Sequence, residues 1–353
     1  MEFVDSAGKP LITLGVFPSN KRLFPLTSEI EIMRGDLVRI VYDDSMKHAS
    51  AAARSGDQYP RLQYKFNTTI TDIVQSGERV QARFSDERTH TFDLVVGADG
   101  QRSRTRRLAF GSQVDDDAFK SLGVQAAYFT MPRLQGKSSL ARMCVEPGHG
   151  LLTRTGDRPV TGANIFATLD QERLRNSYRL PVEEQKQAWC DRIQSATWQV
   201  ERFREGLADC DDFYAHEQGQ IKIPILYSGR VVLLGDAGYC PSPFTGLGTT
   251  LALGGAYTLA GEITRHSNDL KRGLSAYQSK MKPLIDECQQ LNPGGPGIFF
   301  PTSYLGVWIL QITARFMSVL QLDKLMSRWM AASNDRGSGW VAEDYPPLNL
   351  GDA

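Results

Sequence analysis

Two short apolar runs, each closed by a carboxylate and glycine, constrain this chain more than any other feature. "VVLLGDAGYCPSPFTGLGTT" runs from Val231 to Thr250, and "DLVVGADGQRSRTRR" from Asp93 to Arg107. Apolar runs without polar alternation read as strands covered on both faces, as in parallel sheets. In open α/β sheets, ligands lie beyond the carboxyl ends of the strands, where Asp99 and Asp236 fall. Each run is followed by the start of a helix. After Asp236 comes Phe244-Thr245-Gly246-Leu247-Gly248-Thr249, where glycines permit close backbone approach and free N–H groups suit an anion or an electron-rich ring edge. An aspartate at a turn is also common without any ligand.

After Asp99, Ser103 is placed to cap a helix. The basic cluster Arg102, Arg104, Arg106 and Arg107 suits either phosphate binding or a solvated face. A third signal is "RGDLVRI". The apolar spacing predicts a helix over Arg34–Met46. Arg34 stands at its start, where a cation is disfavoured unless an anion is near.

Between these signals the pattern changes. "QYKFNTTITDIVQSGERVQARFSDERTHTF" alternates as a β-meander. From 112 to 227, "LGVQAAYFTM", "LARMCVEP", "HGLLTRTG", "VTGANIFATL" and "QIKIPIL" read as strands, with one or two helices over "PVEEQKQAWCDRIQSATWQVERFREGL". The fold expected is α/β plus α+β: a Rossmann-like sheet, an inserted antiparallel-sheet domain and a helical C-terminal tail. Its parts are 1–111, 112–227, 228–290 and 291–353.

The length of 353 residues suits about two domains. Forty basic residues balance forty acidic ones, so no nucleic-acid partner is expected. The five cysteines are scattered without a C-x-x-C, which points to a reducing, cytoplasmic setting with no disulfide framework and no metal site. The five isolated histidines read as surface or satisfied core residues. "GIFFPTSYLGVWILQITARFMSVL" is broken by Pro301 and Arg315 and falls short of the roughly 20 residues of a span. A packed helix is expected there, with membrane contact left open.

Together the three signals resemble the para-hydroxybenzoate-hydroxylase-like, or group A, FAD-dependent monooxygenases, over roughly Phe24 to Cys288. The fungal secondary-metabolite members look most similar, through "GLGTTLALGGAYTLAGEI" and the apolar tail. The resemblance implies that Arg34 of R-x-x-L lies near the FAD phosphates and that Asp99 and Gly100 contact FAD on the nicotinamide path. It places Asp236 at the ribityl–pyrophosphate region and Gly246, Leu247, Gly248 and Thr249 at the flavin ring. NAD(P)H would reduce FAD, and dioxygen would yield a flavin hydroperoxide that oxygenates a small organic substrate. No catalytic acid or base is nominated; Tyr128, Tyr214 and Arg142 are candidate substrate contacts.

One departure stands out. The family's early strand-borne G-x-G-x-x-G is not found, and the chain is expected to start after the first βαβ unit, leaving "DLVVGADG" with a bare edge. The alternative reading is a truncated, non-redox remnant acting as a ligand-binding or cyclase-like protein.

Overall fold

The computed structural model describes residues 1–13, 32–54, 62–134, 140–156, 158–291, 296–319 and 343–348. Phe24 to Glu31, the glycine-rich break at Gly294 and most of the tail beyond Val319 lie outside these residues.

The two apolar runs pair with each other. β6 (Val95–Gly97) and β13 (Val231–Leu233) are parallel, Val95 opposite Val231 and Gly97 opposite Leu233; β12 (Tyr227–Ser228) completes a three-stranded sheet. Here α8 (Gly248–Arg265) and α9 (Leu270–Cys288) cover Val232 with Leu251, Leu259, Leu274 and Tyr277. Each such large apolar side chain contributes about 1.5–3 kcal/mol on burial. β6 has no second neighbour among the described residues, and Val96 is exposed. The meander forms as expected from β3 (Ile70–Ser76), β4 (Arg79–Phe84) and β5 (Thr89–Phe92), and packs Val80 against Val95 and Val231.

The second sheet has seven strands. β7 (Phe119–Pro132), β8 (Arg142–Glu146), β9 (His149–Thr155), β10 (Val160–Ala167) and β11 (Tyr214–Ile221) are antiparallel neighbours. The hairpin of β1 (Glu2–Val4) and β2 (Pro10–Thr13) adds to β8, Glu2 opposite Arg142 and Val4 opposite Cys144. These first residues, grouped above with the nucleotide-binding part, therefore extend the other sheet. The strand expected over "QIKIPIL" starts earlier and stops at Ile221, because Pro224 has no N–H and the Lys222 amide already turns to Ala118.

One face of this sheet packs Phe129, Leu151 and Ile165 on α4 (Gln171–Ser177), α5 (Val182–Arg192) and α6 (Val200–Asp209), through Leu174, Trp189 and Phe203. The other face carries Val124, Ala126, Leu152 and Phe166 under Phe300 and Val307. Val307 belongs to α10 (Tyr304–Val319), which buries that side and exposes Leu305, Trp308 and Phe316. Among the described residues no helix is long and apolar enough to cross a membrane.

Candidate active site

The turn after β6 is built around Asp99. Its Oδ1 accepts from the Ser103 hydroxyl at 2.5 Å, and its Oδ2 from the Thr105 amide at 2.9 Å and hydroxyl at 3.1 Å. Ser103 caps α2 (Arg104–Phe110), accepting from the Arg106 amide at 2.9 Å. Partial burial alone would raise the Asp99 carboxyl, but the Ser103 hydroxyl and Thr105 amide outweigh it and hold it below the usual range. Both carboxylate oxygens thus face the helix they start. Gly100 follows with φ +81°, a conformation that favours glycine, and open space where a Cβ would lie.

Arg106 is not part of a solvated basic face. It is 2% exposed; its Nε donates to Asp115 at 2.7 Å, Nη2 to the Gln101 carbonyl at 3.0 Å and Nη1 to the Ala237 carbonyl at 2.8 Å. It clamps the Asp99 turn to the Asp236 turn. Arg102 instead lies over the Tyr178 ring, 5.4 Å from its centroid.

Asp236 opens α7 (Asp236–Tyr239) after Gly235, whose φ is +61°. Its carboxylate is open to solvent yet walled by protein. Desolvation raises its carboxyl above the usual value, against the opposing pull of the Cys240 thiol and the Arg34 charge. The loop beyond is held by Ser242, whose carbonyl accepts from Thr245 Oγ1 at 2.9 Å and whose hydroxyl accepts from the Phe244 amide at 3.3 Å. Gly246, at φ +69°, has open space where a Cβ would lie. At Gly248, where α8 begins, a Cβ would lie 3.9 Å from Asp236 Oδ1. The first N–H groups of a helix have no partner within it, so Gly248 and Thr249 offer donors beside the Asp236 carboxylate. An open cradle of donors and a carboxylate, with few side chains, fits a flavin and its ribityl chain.

Arg34 begins α1 (Arg34–Arg54), longer than the expected span to Met46. Asp36, one residue beyond Gly35, pairs with Arg158 in the β9–β10 turn, anchoring this end of α1 to the seven-stranded sheet. The Arg34 charge acts on Asp236, Tyr128, Tyr214 and His216, so the cleft between loop and sheet lies within its field. Phe244 of the loop packs on Phe166 of the sheet and on Phe300, which covers that face.

Tyr128 and Tyr214 lie opposite each other on β7 and β11 and face this cleft, rings 6.4 Å apart. Arg142 does not join them. It pairs with Glu2 at 2.8 Å and donates to the Gly8 carbonyl at 2.7 Å, bracing the first hairpin. Sequence reasoning missed His216, treated above with the isolated histidines, and Gln218. The signal was there: Tyr214, His216 and Gln218 alternate along β11 and so share one face. Burial and the charges of Arg102 and Arg34 push His216 down to about 4, so its imidazole is neutral at neutral pH. Among the described residues no group of His, Cys, Asp and Glu is placed to hold a metal ion.

A small parallel sheet with carboxylate turns at its carboxyl ends, facing a large antiparallel sheet, defines a flavin-dependent oxidoreductase. Residues 52–291 match a family model described as an FAD binding domain. The chain is 36% identical to the FAD-dependent monooxygenase asL6 of Sarocladium schorii, covering 99% of this chain and 82% of that protein. It is 31% identical to Monooxygenase CTB7 of Cercospora beticola, covering 92% and 77%. The solved structure of the tetracycline destructase Tet(51) superposes with a TM-score of 0.70 at 26% identity, covering 98% of this chain and 80% of that one. The chain belongs to the group A FAD-dependent monooxygenases; it is an oxidoreductase with FAD as its cofactor.

Proposed function

We propose that this chain holds FAD between the Asp236 turn, the α8 N-terminus and the Asp99–Gly100 turn, and oxygenates a small organic substrate lying on the seven-stranded sheet. The observation that carries this is the Asp236 carboxylate beside the α8 N-terminus, where a Cβ on Gly248 would lie 3.9 Å from its Oδ1, in a turn that Arg106 joins to the Asp99 turn. Gly248 and Thr249 take the flavin ring edge through backbone amides, Gly246 and Leu247 line it while their own amides donate to the Pro243 carbonyl and Thr245 Oγ1, and Arg34 takes a phosphate. When bound, FAD supplies acceptance of a hydride from NAD(P)H and activation of dioxygen. The protein's part is to orient the substrate on the Tyr128 face and to wall the cleft with Phe166, Phe244 and Phe300, which excludes water.

The fungal relatives along nearly the whole chain support a place in secondary-metabolite biosynthesis and favour a redox enzyme over a non-redox binding module. Five free thiols among the described residues support a reducing compartment such as the cytoplasm.

The test is the purified chain with excess FAD, passed through gel filtration and read by visible absorbance, then assayed for NAD(P)H oxidation. Retained yellow colour with NAD(P)H consumption is expected. Asp236→Ala should lose the colour while its urea midpoint stays within about 0.5 kcal/mol of the parent, as for an exposed side chain. A colourless parent, or an Asp236→Ala variant as yellow as the parent, refutes the reading.

A further inference from the structure

The loop between Asp236 and α8 is fixed at its root by two side-chain amides that reach across each other. Gln220 lies two residues beyond Gln218 on β11, and Gln289 is the C-cap of α9; both are buried. Gln220 Nε2 donates to the Pro241 carbonyl at 3.0 Å and to the Gln289 carbonyl at 2.9 Å. Gln289 Nε2 donates to the Ile221 carbonyl at 2.7 Å and to the Cys240 carbonyl at 3.2 Å. Each nitrogen faces two carbonyl oxygens, which only accept, so each amide has one orientation that satisfies its contacts.

The carbonyls so satisfied belong to three elements. Ile221 ends β11 of the seven-stranded sheet, Cys240 and Pro241 lead into the loop, and Gln289 closes α9. The last carbonyls of a helix have no partner within it, and a buried carbonyl without a donor is costly, so side chains must supply the N–H groups. The Ile221 amide adds one more bond, to the Cys240 carbonyl at 3.1 Å. Pro241 in turn supports the start of α8: a Cβ on Gly248 would lie 3.9 Å from Pro241 Cγ, and equally far from Asp236 Oδ1. The loop's own bonds are short-range, from the Thr245 amide to the Ser242 carbonyl at 3.2 Å and from the Gly246 amide to the Pro243 carbonyl at 3.1 Å. They shape the loop without tying it to the sheet. That tie is made at the root by the amide pair and at the tip by Phe244 on Phe166.

We infer that Gln220 and Gln289 are positioning residues for the cofactor loop. The pair holds residues 240–248 at a set distance from the seven-stranded sheet, and through Pro241 it holds the α8 N-terminus beside Asp236. Both side chains act through the Cys240 and Pro241 backbone rather than by contact with a ligand. The placing of the Gly248 and Thr249 amides is thus set from the end of α9 as well as from the loop itself. This deepens the function proposed above and rests on it for what the loop binds.

The experiment follows backbone amide exchange of the full chain, without added flavin, by mass spectrometry over residues 241–251. Gln289→Met keeps the side-chain length and removes both donors. Exchange across the loop should quicken at least about tenfold, since two hydrogen bonds are lost. Leu174→Ala, on α4 beyond the far face of the seven-stranded sheet, is the control for general destabilisation. It should lower the urea midpoint at least as much and leave loop exchange unchanged, a split that a merely structural role for Gln289 would not produce. If Gln289→Met does not fold, Gln289→Asn, one methylene shorter with its amide retained, takes the same test. FAD affinity is read on the same proteins by flavin fluorescence. It should weaken about tenfold in Gln289→Met and keep the parental value in Leu174→Ala. Unchanged loop exchange in the Gln289 variant, or equal acceleration by Leu174→Ala, overturns the inference. So does an unchanged FAD affinity where the parent binds flavin. A parent that binds no FAD sinks the proposed function, and the exchange rates still decide this inference.

Discussion

Arg106 Nη1 donates to the carbonyl oxygen of Ala237 at 2.8 Å, joining two turns that lie far apart in the chain. The same guanidinium meets Asp115 and the Gln101 carbonyl, so a buried cation holds both carboxylate turns in one frame. Removing one partner of such a buried pair leaves the other charge uncompensated. Arg106→Leu should lower stability by about 3 kcal/mol, measured as the urea midpoint. Arg106→Lys should not restore it, because a point ammonium cannot reach three acceptors in a planar fork. A Lys variant as stable as the parent would refute this account of the clamp.

Asp99 couples the same frame to pH. Its folded-state carboxyl is held below the usual value, so it contributes stability above about pH 4, the unfolded value. That contribution is lost as pH falls through the lower, folded value. Asp99→Asn should therefore cost about 1 kcal/mol at pH 7, a figure kept small because the turn is solvent-exposed. Parent and variant should converge as the pH approaches 2. Denaturant midpoints across that range decide the matter; a constant gap would mean that the carboxylate charge is irrelevant.

Gly97 is required by contact, not by φ. A Cβ there would sit 2.7 Å from the Thr105 methyl and 2.9 Å from Leu233 Cδ2, between the parallel strands and α2. Gly97→Ala should cost about 1–3 kcal/mol by overpacking. Thr105→Ser removes the methyl, and in the double variant should recover part of that loss. Thermal melts of the two single variants and the double test the coupling, with strict additivity as the outcome that rejects it.

His216 gives the opposite end of the cleft a pH signature. Folded, it takes its proton only near pH 4; unfolded, near the ordinary value of about 6.5. Between those values the unfolded chain binds more protons, so stability falls as pH is lowered through the window and levels off below it. His216→Phe keeps a ring in the stack and removes this dependence. Its urea midpoint should change less than the parent's between pH 7 and pH 4.5. An identical slope for both proteins would count against a neutral, desolvated imidazole.

What the sequence by itself determined are the features set within a few residues. The strand–Asp-Gly–helix and strand–Gly-Asp–loop units, the Ser103 cap, the meander over 70–92 and the helix starting at Arg34 all follow from apolar spacing, glycine placement and caps. Period-2 alternation likewise assigns faces within β7 and β11. Alternation does not name a partner strand, however, because register and neighbour come from long-range pairing. Only the tertiary structure could therefore place Glu2 beside Arg142, taking that arginine out of the site, and Val95 beside Val231. The same limit hid Arg106 in an apparently solvated basic run and His216 among isolated histidines. Burial and partners depend on what folds over a residue, and here the Ala237 carbonyl that meets Arg106 and the Tyr128 ring that stacks on His216 come from separate elements of the chain.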